Sequence, residues 1–137
     1  MNIGLTGTPG TGKTSLSKLL DCNLISINEY YPDISNGKDS EGNWLIDLDK
    51  LNETIDLTQH SDTLIEGHVA HFLSKLDLVV VLRCHPDRLK ERLVLRDYKE
   101  EKIKENIEAE ALNIISGEAF EFYDESKVFE IDTTHSD

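Results

Sequence analysis

At 137 residues the chain has room for one packed domain and too little for two. Its 38% hydrophobic and 30% charged side chains exclude a disordered protein, and no apolar run approaches the roughly 20 residues that span a bilayer. Fourteen Lys and Arg against 27 Asp and Glu leave a net charge of −13, a field that repels bare nucleic acid and either suits a basic partner or serves solubility alone.

The first strand is expected over residues 2–6, where a short apolar run ends in a glycine-rich turn. A helix follows over 14–20, with Leu16, Leu19 and Leu20 spaced for one buried face. LISI at 24–27 reads as a second strand, and the polar, turn-rich stretch 28–43 as an exposed excursion. Asp47 or Asp49 then caps a helix that buries Leu51 and Ile55 with Leu48 or Leu57. TLIEG at 63–67 gives a third strand. The β-branched run at 78–83 gives a fourth, of the kind buried on both faces of a parallel sheet. Pro86 opens a helix carrying Leu89 and Leu93 up to about Arg96. The longest helix is expected over 100–117, with Ile103, Ile107, Ala111, Ile114 and Ile115 on one stripe. VFEID at 128–132 is the last strand. Strand and helix alternate throughout, which predicts an α/β fold with a parallel sheet and helices on both faces. Cys22 and Cys84 are too few for a disulfide framework and read as reduced thiols in or near the core. With no basic leader and apolar run in MNIGLTG, a cytoplasmic protein is expected.

The stretch GTPGTGKT matches G-x-x-x-x-G-K-[ST] in full, between a strand and a helix as that motif requires. Glycines at Gly7, Gly10 and Gly12 let successive N–H groups turn inward around a β-phosphate, with Thr8, Pro9 and Thr11 between them. Lys13 can reach the β- and γ-phosphates, Thr14 can place its hydroxyl on Mg²⁺, and Ser15 extends the loop into the helix. This is the signature of a nucleoside triphosphate site with Mg²⁺.

In a parallel sheet ligands gather at the carboxyl ends of the strands, so Glu66 and His68 should face the same crevice. A carboxylate there can hold Mg²⁺ together with Thr14, and an imidazole two residues on can orient an attacking water or acceptor. His71 reads as structural or as a support to that pair, because Mg²⁺ prefers oxygen. Arg92 and Arg96, four apart on one helix side, suit a migrating γ-phosphoryl group, and Arg83 is a weaker candidate.

Together GTPGTGKT, SINE at 26–29, IEGH at 65–68, VVVLRCHPDRLKERL, RDYKEEKIKENIEAE and EIDTT at 130–134 resemble the isoenzyme-6 type adenylate kinases. These are small P-loop proteins of archaea and eukaryotes that also serve as ribosome-assembly ATPases. The resemblance covers nearly the whole chain. It implies a P-loop NTPase fold with a five-stranded parallel sheet of order 2-3-1-4-5, an AMP-binding segment over 28–58 and a short lid over about 92–102. Arg92 and Arg96 belong to that lid, Glu66 takes the acid position, and residues 132–134 lie near the adenine. The implied activity is ATP plus AMP to two ADP, with slow ATP hydrolysis. The alternative is an assembly ATPase that binds a basic small-subunit ribosomal protein according to its nucleotide state, and a weaker third is a small-metabolite kinase. Residues 28–58 depart from the pattern, holding Lys38 and Lys50 but no arginine for bidentate phosphate binding. Asp97 stands where the family has glycine, and the chain ends after the last strand where relatives continue into a closing helix. One sheet face is therefore expected to be partly uncovered, in a monomer or weak dimer.

Overall fold

In the computed structural model, which describes residues 1–136, the apolar run after Met1 forms β1 (Ile3–Gly7) at the centre of the sheet. The P-loop leads into α1 (Lys13–Leu19), β2 (Asn23–Ser26) and a 3₁₀ turn over Ile27–Tyr30. A two-stranded hairpin, β3 (Ser35–Lys38) and β4 (Trp44–Ile46), precedes α2 (Leu48–Thr54). The remaining elements are β5 (Thr63–Glu66), β6 (Leu78–Arg83), α3 (Pro86–Leu95), α4 (Glu100–Ala111), α5 (Ile114–Phe122) and β7 (Val128–Asp132).

The main sheet is parallel with order β2-β5-β1-β6-β7. Counting only the five predicted strands, this is the order 2-3-1-4-5. Leu5 sits opposite Glu66 on β5 and Val80 on β6, so the P-loop and Glu66 leave the sheet at the same edge. The strand alternation sends Ile65, Val79, Val81 and Val128 to one face, where Ile27, Ile34, Leu51, Ile55 and Ala119 close over them. Leu5, Leu64 and Leu82 point to the other face against Leu16. A separate cluster of Cys84, Leu89, Leu93 and Ile103 joins α3 to α4. Among the described residues no helix is long and apolar enough to cross a membrane.

Four expectations are corrected. The long helix over 100–117 is two helices, α4 and α5, broken at Asn113. Asn113 takes a left-handed conformation with φ 56°, which asparagine tolerates better than most residues, and its Oδ1 accepts from Arg83. The turn leaves Ala111 and Ile114 exposed and swings Ser116 and Ala119 inward with Ile115 partly buried on the main core, so the predicted stripe is divided between two helices. Of the three leucines expected on the buried face of α1 only Leu16 packs on the sheet, because the helix stops at Leu19 and Leu20 is already extended; both are exposed. The stretch 28–43 is not merely an exposed loop. Ile34 is fully buried within it, and residues 35–38 pair with β4. Cys22 is exposed, in the loop between α1 and the edge strand β2, whereas Cys84 is buried.

The seven-residue α1 packs over β1 and β5 and leaves its face of the sheet thinly covered. Phe129 and Ile131, paired with Val80 and Leu82, are 49% and 46% exposed there. Asp47 is the helix cap, accepting hydrogen bonds from the backbone N–H of Asp49 and Lys50 at 2.9 and 3.1 Å. Leu51, Ile55 and Leu57 are buried behind it and Leu48 is exposed. Asp47→Ala is expected to lower stability by about 1 kcal/mol, read as a fall in the urea midpoint without a change in slope.

Candidate nucleotide site

Between β1 and α1 the chain turns through Gly7, Gly10 and Gly12, all with positive φ. Gly10 is the tightest packed against a neighbouring helix. A Cβ there would lie 2.9 Å from Leu89 and 3.0 Å from Leu93, so the bare backbone lets α3 seat directly on the loop. The loop is tied from behind: the Thr11 hydroxyl donates to the Thr8 carbonyl at 2.7 Å, and the Thr8 hydroxyl donates to buried Glu110 at 2.7 Å. Gly67, with φ 156°, does the equivalent work after β5. Its N–H donates to the Leu5 carbonyl at 3.0 Å, and a Cβ would meet Ile27 at 2.9 Å. That turn holds Glu66 and His68 on the P-loop side.

A cavity of about 370 Å³ results, walled by Pro9, Gly10, Gly12, Lys13 and Thr14 from the loop and by Glu66 and His68 from the end of β5. Arg96 and Tyr98 enclose it from beyond α3, and Asn28 and Tyr31 from the segment after β2. Lys13 Nζ donates to the carbonyls of Gly7 at 2.8 Å and Thr8 at 3.2 Å, curled over the loop it serves. Burial pushes its pKa down to about 8; Glu66 opposes that shift and Arg96 adds to it. Glu66 is only 5% exposed, and its carboxylate accepts no hydrogen bond among the described residues. The Thr14 hydroxyl and the Glu66 carboxylate form an oxygen donor set on one cavity, which is the chemistry Mg²⁺ takes with one or two protein ligands and several waters.

His68 Nδ1 lies 3.0 Å from the Tyr31 hydroxyl, and the two rings meet edge to face. Burial, then the charges of Lys13 and His71, pushes the His68 pKa down to about 4, so the imidazole is neutral at neutral pH. Burial together with Glu66 pushes the Tyr31 phenol up to about 12. His71 is fully buried, with Nε2 3.0 Å from Glu118 and Nδ1 2.8 Å from Thr6 on β1. Burial lowers its pKa to about 4 as well.

These two shifts have a definite sign. The unfolded chain binds protons near the ordinary value of 6.5, whereas the folded chain resists them until about 4. Stability is therefore expected to fall as pH drops from 6.5 toward 4, with His68→Gln flattening part of that loss in urea midpoints taken at pH 7 and pH 5.

The sequence profile of the AAA domain family matches residues 3–113. A Methanococcus maripaludis protein named "Putative adenylate kinase" is 42% identical over 151 residues, spanning 100% of this chain and 82% of the relative. A Methanosarcina barkeri protein of the same name is 44% identical over 148 residues, spanning 98% and 78%. The chain belongs to the adenylate kinase-like P-loop family. Among solved structures, shikimate kinase from Bacteroides thetaiotaomicron matches with a TM-score of 0.63 at 20% identity, over 96% of this chain and 85% of that one. Deoxyadenosine kinase from M. mycoides with bound dATP matches at 0.54 and 15%, over 96% and 91%. At those identities the likeness is one of fold: an α/β P-loop kinase sheet.

Within this family member the structure brings together Pro9, Gly10, Gly12, Lys13, Thr14, Glu66, His68 and Arg96. Gly7, Thr8 and Thr11 lie behind the loop as its buried support, and Ser15 is exposed outside the cavity wall. Arg92 is not brought to the cavity. Its guanidinium donates to the carbonyls of Gly10 and Ser136 at 3.3 and 3.0 Å and to both Thr133 oxygens, strapping the segment after β7 to the loop. The two arginines part because α3 ends at Leu95. Arg96 is the cap residue and Asp97 turns left-handed at φ 58°. Arg83 is a structural residue, paired with Glu110 at 2.8 Å and Glu130 at 3.0 Å. Asn28 and Tyr31 of the polar excursion and Tyr98 of the lid turn also line the cavity, though no sequence pattern singles them out as site residues. The signals present were SINE at 26–29 for Asn28, the lid turn RDY for Tyr98, and the aromatic pair Tyr30 and Tyr31 in a stretch otherwise built of turn formers.

Proposed function

We infer that the protein is a nucleoside monophosphate kinase of the adenylate type, related to the isoenzyme-6 group, which moves the γ-phosphoryl group of ATP to AMP. The observation that carries this reading is the shared cavity. Lys13, Thr14 and Glu66 gather on one side, and Asn28 and Tyr31 of the acceptor segment close the other. The P-loop N–H groups and Lys13 bind the phosphate tail, and Arg96 offsets charge on the migrating group. Thr14 and Glu66 would hold Mg²⁺, which would supply positive charge to offset that of the phosphate tail. A cavity of about 590 Å³ bounded by Arg83, Cys84, His85, Asp132, Thr134 and His135 gives room for the adenine, beside Thr133, whose hydroxyl donates to Thr11.

One observation favours the second reading, an ATPase that acts as an assembly factor by holding a basic ribosomal protein. The two lysines of the acceptor segment are occupied: Lys38 lies over Trp44 at 4.6 Å, and Lys50 donates to Asn36 at 2.8 Å and Ser35 at 3.3 Å. The acceptor phosphate then receives no lysine from its own segment, and Arg96 is the cation that lines the cavity from outside the P-loop. A coupled assay separates the readings by comparing ADP formed from ATP plus AMP with phosphate released from ATP alone. Transfer exceeding hydrolysis is expected. Hydrolysis with no phosphorylation of any nucleoside monophosphate would remove the kinase reading and leave the second.

A further inference from the structure

We propose that Tyr31 is a positioning residue that fixes His68 as the Nε2–H tautomer, so that His68 offers the cavity a hydrogen-bond donor rather than a base. The hydroxyl of Tyr31 has one hydrogen-bonding neighbour among the described residues, His68 Nδ1 at 3.0 Å. A half-buried phenol proton needs an acceptor, and a bare imidazole nitrogen is the acceptor within reach. If Nδ1 accepts, the single proton of a neutral imidazole sits on Nε2. That nitrogen has no protein partner among the described residues. Nor is it among the buried polar atoms left without one, a class whose single described member is the Ser35 hydroxyl. Nε2 is therefore open to solvent, on a ring that lines the phosphate cavity.

The ring is held in that orientation from both sides. Gly67 allows the turn that brings His68 round, and Tyr31 packs edge to face on it while itself tilted against Trp44 at 6.3 Å. Tyr31 belongs to the acceptor segment and His68 to the end of β5, so the hydrogen bond couples the seating of that segment to the proton position on the imidazole. The consequence for rate rests on the kinase reading: an Nε2–H group hydrogen-bonds an oxygen of the phosphoryl group or its acceptor and takes no proton from it.

The test has a spectroscopic arm that needs no activity. Long-range ¹H–¹⁵N correlation of the imidazoles, with the His68 signals assigned by their loss in His68→Gln, should show Nε2 protonated and Nδ1 bare in the free protein. Tyr31→Phe should fold, keep its ring packing and move His68 toward the opposite tautomer. In the transfer assay Tyr31→Phe should lower kcat by about ten-fold with the KM for ATP little changed, the scale of one lost hydrogen bond. His68→Gln, whose amide nitrogen falls near Nε2, should retain more activity than His68→Asn, whose amide falls near Nδ1. A protonated Nδ1 in the wild type, an unchanged His68 signal in Tyr31→Phe, or Asn outperforming Gln would overturn the proposal. Absent transfer activity with the expected tautomer would instead count against the kinase reading and leave the hydrogen bond standing.

Discussion

Lys13→Met is expected to lower phosphoryl transfer by a factor of about 10²–10³ or more while making the folded protein more stable at neutral pH. The two effects share one cause. Lys13 is held over the P-loop carbonyls in a cavity that desolvates it, and its pKa falls to about 8 from an ordinary 10.5. A cation kept short of solvent is a cost to the free protein and an asset once phosphate oxygens arrive. The folded pKa lies below the unfolded one, so the penalty is fully present below about pH 8 and disappears as pH rises toward 10.5. The stabilisation by methionine should be on the order of 1 kcal/mol at pH 7, given the residue's partial exposure, and should vanish by about pH 10.5. Thermal unfolding across that range, beside the transfer assay, checks both halves. A variant that is inactive but destabilised at pH 7 would show that Lys13 holds the loop together rather than waiting in it for a ligand.

What was legible in the sequence was whatever lies within one local pattern. GTPGTGKT needs only its neighbouring strand and helix, and the apolar runs at 63–67 and 78–83 need only their own residues, so the parallel strands and the place of Glu66 beside the loop followed, whereas the strand order was implied only by the resemblance to the adenylate kinases. Features decided by contacts between distant residues were hidden. Four-residue spacing put Arg92 and Arg96 on one helix side, but the helix ends between them, and Thr133 and Ser136 claim the first. The isoleucine stripe in 100–117 ran straight through Asn113, because nothing nearby in sequence reports that Arg83, 30 residues earlier, holds the Asn113 side chain. Tyr31 was invisible for the same reason: its partner, His68, lies 37 residues away. Composition alone placed Cys22 in or near the core, but composition is silent on which side of an edge strand a thiol lies.

Glu110→Ala is expected to be the most destabilising single change at a charged position, by about 3 kcal/mol or more, a loss of about 10 °C in Tm for a chain of this length. The Glu110 side chain is only 4% exposed, and its two oxygens serve three donors. One accepts from the Thr8 hydroxyl at 2.7 Å. The other accepts from Arg83 Nε at 2.8 Å and from the backbone N–H of Cys84 at 2.9 Å. Truncation strands two buried donors and removes the nearer carboxylate from a guanidinium that retains Glu130 at 3.0 Å. Arg83→Met should cost less, because Arg83 is 23% exposed and Glu110 would keep its two other donors. The pair should therefore couple, with the double variant Arg83→Met, Glu110→Gln less destabilised than the sum of the single changes. The same carboxylate reaches the P-loop through Thr8, so Glu110→Gln should also raise the KM for ATP, whereas Asp47→Ala, whose side chain bonds only to Asn36, Asp49 and Lys50 among the described residues, should leave it alone. Urea midpoints for Glu110→Ala, Arg83→Met, Glu110→Gln and the double variant, with ATP titration of Glu110→Gln, decide the matter. A destabilisation below about 1 kcal/mol for Glu110→Ala would mean that water replaces the carboxylate, and that the loop is held by its own backbone.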